Sequence, residues 1–544
     1  MGSVLTAQRS SPGWSAFAVL LALYSATLAP SVTWWDSGEL IAAVHSLGIP
    51  HPPGTALYVI VANVWAMLTW PLDYAMRVNL LSAVGTAAAV GILGSMLARW
   101  TRDNVAAFAA AICAGAASSV WRNATEAEVY ALALVGAALI LWTADRAGSS
   151  DARSPWPWIL LCGYVVGLSY SLHLAALVAV PAALVLIAPA RPRLSGARIA
   201  QLALVGALGV SAVLYLLVRA QHDPSVNQGN PATWAAFVDV LSREQYSDPG
   251  FWPRQAPLYL QIGNWFEYAD WQFALGLHPE PPPSLARTSV TALFVALGLY
   301  GSRAHRNLDQ RGWRALLLLF ATASLGVILY LNLKAGPSFG EGLIPDAAPR
   351  EARERDYFFA TSFLVWGLWA GFGVVRAVRV LGARLASPSA RTILRLAGIA
   401  VVASPVALNW KAVDRRAAAQ ATAARDTARE LLGRVPPSGV LLAAGDNDTY
   451  PLWYAQQVEK VRRDVTVVTV PLLGTAWYRH ELARRHSLVD SADAGTWRGL
   501  SATLAEVCSA AHERGRPIMV APGAAARTLP ASCLTSSSPR AEIN

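Results

Sequence analysis

Two carboxylates and two histidines stand close together near the start of the chain, in the run Trp34-Trp35-Asp36-Ser37-Gly38-Glu39-Leu40, which continues through His45 to His51-Pro52-Pro53-Gly54-Thr55. A carboxylate held beside a substrate hydroxyl takes its proton as a general base. Asp36 is the first candidate for that work, Glu39 the second, and His51 a candidate substrate contact beside them. The spacing also has a purely structural reading. A helix from Asp36 to Leu47, stopped by Gly48 and Pro50, would put Asp36 and Glu39 on one face of its first turn. Asp-x-x-Glu is also the capping-box pattern that satisfies free amides at a helix start. The residue types leave both readings open.

The elements that must position these groups are apolar. Of the 544 residues, 54% are hydrophobic and 14% charged, the composition of an α-helical polytopic membrane protein and not of a soluble enzyme. Eleven segments are expected to cross: 14–31, 76–98, 104–121, 128–145, 157–171, 173–189, 198–219, 288–303, 313–332, 356–378 and 392–409. The first follows Arg9 without a small-x-small cleavage site and is expected to stay as a helix. Residues 55 to 70 are too few for a ~30 Å hydrocarbon core and are read as juxtamembrane or re-entrant. With that count, inward crossings end at Arg99 and Arg102, at Arg146 and Arg153, at Arg191 and Arg193, at Arg303 and Arg306, and at Arg376 and Arg379, as the positive-inside rule requires. The net charge of +10 is mostly arginine, Lys334, Lys411 and Lys460 being the only lysines. Its placement at helix ends argues for membrane orientation and against nucleic-acid binding. The arginine- and alanine-rich usage points to a bacterial inner membrane.

An odd count leaves the C-terminal region outside and collects the unusual polar residues on that same face: Asp36 and Glu39; Arg122, Glu126 and Glu128; His173; His222; Lys334 and Glu341; and Arg350 through Tyr357. Residues 1–410 are thus expected to form the membrane unit, with extracytoplasmic loops 31–75 and 220–287, and residues 411–544 an extracytoplasmic α/β domain. There, an amphipathic helix over 414–433 precedes short apolar strands at Val440–Ala444, Val465–Val470 and Ile518–Ala521, separated by helices as in a parallel sheet. Asp446 and Asp448 follow the first strand, where open α/β sheets bind ligands, and are candidate substrate contacts. The alternative is that Asp448 or Thr449 caps a helix begun by Pro451. Cys113 and Cys162 lie in apolar segments, and Cys508 and Cys533 could form a disulfide outside the membrane.

The run WWDSGELIAAVHSLGIPHPPGTALY, the segment Arg353-Glu354-Arg355-Asp356-Tyr357-Phe358-Phe359 and the stretch GDNDTYPLWY from Gly445 to Tyr454 together resemble a membrane family related to protein O-mannosyltransferases. The resemblance touches both halves of the chain. It implies a GT-C fold and a sugar donor carried on a polyprenyl phosphate. Such a donor requires a base for the acceptor, cations for the departing phosphate and an apolar groove for the lipid. Arg353 is the leading phosphate ligand, with Arg350 and Tyr357 on the same face if the segment is helical and Glu354 near them. The alternative is an Arg-Glu network tying a loop, and Arg355–Asp356 is read as such a pair. Glu126, Glu128 and His173 are further substrate-binding candidates, an ion pair with Arg122 being the alternative for the two glutamates. Trp234, Trp252, Trp265 and Trp271, in the long loop, are expected at the membrane interface.

These residues together read as a GT-C glycosyltransferase transferring a hexose, mannose by the resemblance, from polyprenyl phosphate to a hydroxyl. Protein Ser/Thr is the acceptor the resemblance implies; a glycan or lipid acceptor stays open. No cofactor is demanded, and a divalent metal stays open. A transporter or lipid-handling protein would instead place its charges at mid-membrane, and a sensor would make the C-terminal domain the ligand site.

Overall fold

The computed structural model describes residues 12–150, 154–246, 250–340, 344–345, 347–417, 420–525 and 529–533. Arg9, Arg153 and Glu341 lie outside the described residues. The chain is a multi-pass helical membrane protein carrying a small α/β domain. Among the described residues, seven helices are long and apolar enough to cross: Tyr74–Thr101, Val129–Ala147, Gly196–Ala220, Leu285–Leu308, Gln310–Leu331, Asp356–Arg384 and Pro388–Val413. Asn104–Gly115 and Ser118–Ala124 are long and apolar enough only as a pair, bent by 74° at the break between them. Shorter apolar helices at Pro12–Ala26, Trp156–Leu172 and Leu174–Ala190 coincide with the remaining expected crossings. Ala56–Leu68, 13 residues and so about 20 Å long, falls short of the hydrocarbon core.

Burial sorts the helices. Leu364, Val365 and Leu368 of Asp356–Arg384 are fully buried, whereas Ile393, Leu396 and Ile399 of Pro388–Val413 are more than half exposed and face where lipid would be. Asp356–Arg384 and Leu285–Leu308 approach backbone to backbone, because a Cβ on Gly301 would strike the carbonyl of Trp369 and one on Gly373 that of Leu297. Of the four loop tryptophans, Trp234 and Trp252 are exposed, at 65% and 80%. The other two differ from expectation. Trp271 is buried and Trp265 stacks on Phe363 at 5.7 Å, because the helix Leu258–Asp270 carries both into the bundle core.

In the C-terminal domain, strands β1 (Val440–Ala443), β2 (Thr466–Thr469) and β3 (Ile518–Val520) form a parallel sheet in the order β2-β1-β3. Val440 and Leu442 pack on one face with Val468 and Leu504, Leu441 and Ala443 on the other with Leu431, Leu432 and Leu452, so the sheet is covered on both sides. Cys508 and Cys533 form a disulfide. Two local expectations are corrected. The amphipathic helix occupies only Ala423–Arg434, and the helix after β1 runs Asp446–Gln457, starting five residues before Pro451. Gly445, at φ +99°, turns the chain from strand to helix, which a side chain would resist.

The domain rests on the first motif. A Cβ on Gly38 would collide with the carbonyl of Tyr450, so the helices Ser37–Ser46 and Asp446–Gln457 touch through a residue without a side chain.

Candidate active site

The helix Ser37–Ser46 begins at Asp36, but neither carboxylate caps it. Asp36 makes no side-chain cap bond. Its Oδ2 instead accepts from Arg353 Nη2 at 2.6 Å, with both side chains at least four-fifths buried. Glu39, fully buried, accepts from the His51 amide at 2.7 Å, from His51 Nδ1 at 2.5 Å and from Gln228 Nε2. The capping-box alternative is therefore not the one realised. Both oxygens of Glu39 hold other protein groups, whereas Asp36 has one oxygen in an ion pair and keeps part of its side chain exposed.

Arg353 is held from three sides. Its Nε donates to the Tyr357 hydroxyl at 2.9 Å, and its guanidinium carbon lies 4.5 Å from the Tyr357 ring centroid and 5.1 Å from that of Trp35. Trp35 sits at φ +63°, and its amide donates to Asn447 Oδ1 at 2.7 Å. The Tyr357 hydroxyl also accepts from Arg355 Nη1 at 2.7 Å. With two donors pointing at its oxygen, its own proton is left for a third partner. Arg353 Nη1 makes no hydrogen bond to the described residues. The site thus presents an ionised carboxylate, a guanidinium N–H and a phenolic O–H in one place.

The other expected residues divide. The helical face joining Arg350, Arg353 and Tyr357 does not form, because residues 350–355 are irregular and only Asp356–Phe359 winds, as a 3-10 turn. Arg350 donates instead to the carbonyls of Gly336, Pro337 and Phe339, at 2.7 to 3.3 Å, closing a loop. Glu354 accepts from Ser338 Oγ at 2.6 Å and Tyr268 OH at 3.0 Å. Arg355 pairs with Glu351 at 3.0 Å and not with Asp356, which accepts from Ser119 Oγ at 2.6 Å. Glu126 pairs with Arg415 Nη2 at 2.5 Å, and not with Arg122, and also accepts from Thr33 Oγ1 at 2.7 Å. Asp448 accepts from the Gly523 amide at 2.9 Å, fastening its helix to the segment after β3.

Glu128 and His173 do line the site. Glu128 is 8% exposed and receives no hydrogen bond on its carboxyl from the described residues. Burial, then the charge of Asp36, push its pKa up to about 8. Burial also opposes ionisation of Asp36, but Arg353 and His51 outweigh it and hold the carboxyl below the usual range. Two neighbouring carboxyls are thereby set apart, one charged and one neutral at pH 7. Burial works against the charge of His51, yet Glu39, Asp36 and Asp446 raise its pKa to about 9. Asp446 itself is exposed at the rim. His173, pushed down to about 4 by burial and then by His51, stays neutral and accepts the Ala175 amide at 3.2 Å. Its ring meets Tyr130 at 4.7 Å, which meets Tyr357 at 5.1 Å, forming an aromatic back wall. Among the described residues, no three His, Cys, Asp or Glu side chains converge as a metal-ligand set.

Gln228, Trp35 and Asn447 complete the constellation and were not singled out as site residues from sequence. Trp35 and Asn447 lie inside recognisable motifs; Gln228, in the middle of a long loop, carries no local signal.

Residues 36–194 match the family model of the Protein O-mannosyl-transferase TMEM260 N-terminal domain, and residues 424–494 that of the TMEM260-associated domain 2. The chain is 24% identical over 474 residues to Protein O-mannosyl-transferase TMEM260 of Mus musculus, covering 86% of this chain and 64% of that protein. To Protein O-mannosyl-transferase tmem260 of Dictyostelium discoideum it is 20% identical over 497 residues, covering 84% of this chain and 57% of that one. It thus spans less than two thirds of the length of these curated relatives. Among solved structures it is similar to ArnT from Cupriavidus metallidurans bound to undecaprenyl phosphate, with a TM-score of 0.51 at 13% identity, covering 86% of this chain and 92% of that one. That likeness concerns the fold, which is GT-C.

Proposed function

We propose that this chain, a relative of the TMEM260 protein O-mannosyl-transferase family, is a membrane glycosyltransferase that moves mannose from a polyprenyl phosphate to a serine or threonine hydroxyl on the extracytoplasmic face of a bacterial inner membrane. The observation that carries the reading is the contact of Asp36 with Arg353, whose second amino group and neighbouring Tyr357 hydroxyl stay free for a ligand. Asp36 takes the acceptor proton as the hydroxyl oxygen forms its bond to the sugar C1. The C1–O bond to the phosphate breaks, and its electron pair leaves on the polyprenyl phosphate, where Arg353 and Tyr357 stabilise the growing charge. The ion pair through Nη2 keeps Asp36 ionised, and Nη1 of Arg353 is left to meet the incoming phosphate. His51, charged and tied to Glu39, fixes the helix entrance. A transporter is disfavoured because these charges sit at helix ends and not at mid-membrane.

Purified protein given labelled polyprenyl-phosphate mannose is expected to label serine/threonine-rich polypeptide and, without acceptor, to release mannose slowly to water. If neither occurs, the assignment is wrong. Glu128 supplies a pH signature. Neutral below about pH 8, it ionises above that value and sets a second negative charge beside Asp36, against the donor phosphate. The transfer rate is expected to fall as pH rises through this value, and Glu128→Gln, a mimic of the neutral form, to keep activity at pH 7 while removing that alkaline limb. An unchanged pH–rate profile in the variant would exclude Glu128 as its source.

A further inference from the structure

A cavity of about 220 Å³ lies between the C-terminal sheet and the loop that follows Gly196–Ala220. It is separate from the Asp36–Arg353 contact but shares a wall with that site: Gln228 lines the cavity and also donates to Glu39. Three features of its lining are unfinished. The first is the edge of β2. The sheet order leaves β2 with one neighbour, and the Thr466 amide donates inward to Gly439 O at 3.0 Å. Alternation along a parallel strand then turns the amide and carbonyl of Val467, a lining residue, toward the open edge. The second is Asn227, 4% exposed, whose Oδ1 is buried without a hydrogen-bond partner among the described residues. The third is Trp477, whose buried indole N–H is likewise unpartnered. Neither of these two atoms has accessible surface, so they mark polar groups packed behind the cavity wall, and the edge of β2 is the part of the lining that a ligand can pair with.

From these features we infer that the cavity is the acceptor subsite and takes an extended polypeptide segment, paired by its backbone to Val467 and passing Gln228 toward Asp36. This rests on the reading above that the acceptor is a protein hydroxyl. The strand edge is what favours a polypeptide over a sugar. A peptide backbone offers the alternating N–H and C=O that an open strand edge takes up, and side chains at alternate positions would lie along the cavity walls. The volume, below the ~300 Å³ where pockets for drug-sized ligands begin, suits a short stretch of extended chain. Trp453, Gln457, Glu481 and Arg485 are among the other wall residues.

The test measures two things on the full-length protein in detergent: anisotropy of fluorescein-labelled, unstructured serine/threonine-rich peptides without donor, and release of mannose from polyprenyl-phosphate mannose without peptide. Val467→Pro removes the outward N–H at an edge position, where proline is tolerated. Trp477→Phe trims a ring in the cavity wall while keeping it aromatic, and it carries the test if the proline variant does not fold. Each change is expected to weaken peptide binding about three- to tenfold, the effect of one hydrogen bond for the first and of lost apolar contact for the second, with melting temperature close to the parent's. Peptide affinity unchanged in both variants, no peptide bound by the parent, or displacement of peptide by a soluble oligomannoside that Trp477→Phe weakens and Val467→Pro does not, would each overturn the assignment. Mannose release without peptide binding would sink the subsite alone. Peptide binding sensitive to both variants, in a protein that releases no mannose, would keep the cavity as a polypeptide groove and sink the transferase reading.

Discussion

Replacing Asp36 with Asn is expected to lower transfer about 10²- to 10⁴-fold, the contribution of a positioned general base. The substitution keeps the size of the side chain and an oxygen that can accept from Arg353 Nη2, so geometry survives while basicity is lost. It also leaves a mostly buried guanidinium facing a neutral amide. Removing one partner of a fully buried pair costs about 3–5 kcal/mol, and less here because both groups retain some solvent contact. Asp103→Asn separates stability from chemistry. Asp103 pairs with Arg379 Nη2 at 3.0 Å and caps Asn104–Gly115, far from the site. It should lower the melting temperature by a similar amount while leaving transfer within a few-fold of the parent. Comparable activity loss in both variants would mean that Asp36 acts through folding.

Arg353→Lys is expected to lower donor affinity and turnover together, by roughly ten- to hundredfold, which corresponds to about 1.5–3 kcal/mol of charge-assisted hydrogen bonding. An ammonium retains the charge but cannot at once bond Asp36, bond Tyr357, stack between Tyr357 and Trp35 and present a further N–H to phosphate. Arg350→Lys is the comparison, because Arg350 donates to the backbone carbonyls of Gly336, Pro337 and Phe339, closing a loop, and should act mainly on stability. Donor binding and single-turnover transfer measured on both variants give the answer. An Arg353→Lys enzyme that binds and transfers like the parent would remove Arg353 from the phosphate site.

Much of this architecture is legible in the amino-acid order because lipid leaves the backbone few choices. Within hydrocarbon every peptide group must be paired internally, so a long apolar run is a helix, and its arginine-flanked end marks a boundary. The expected crossings 76–98 and 356–378 accordingly coincide with Tyr74–Thr101 and Asp356–Arg384. In the C-terminal domain, apolar strands alternating with helices specify a parallel sheet, although not where each helix begins, since Pro451 is compatible both with starting a helix and with sitting inside one.

Local residue order thus specifies the helices, the sheet and the motifs that carry the polar groups. Which polar group touches which was decided by tertiary structure. Asp-x-x-Glu reads the same whether it caps a helix or builds a site, because the partners that distinguish the two are not local. Arg353 lies 317 residues from Asp36, Gln228 lies 189 from Glu39, and Asn447 lies 412 from Trp35. Likewise, Arg350 and Arg353 are equivalent as residue types three apart, yet one closes a loop on backbone carbonyls and the other faces a carboxylate. The physical reason is that a charged side chain buried at a membrane boundary bonds to whatever opposite charge or carbonyl the packed helices bring within reach, and that is a property of the assembled bundle, not of spacing along the chain.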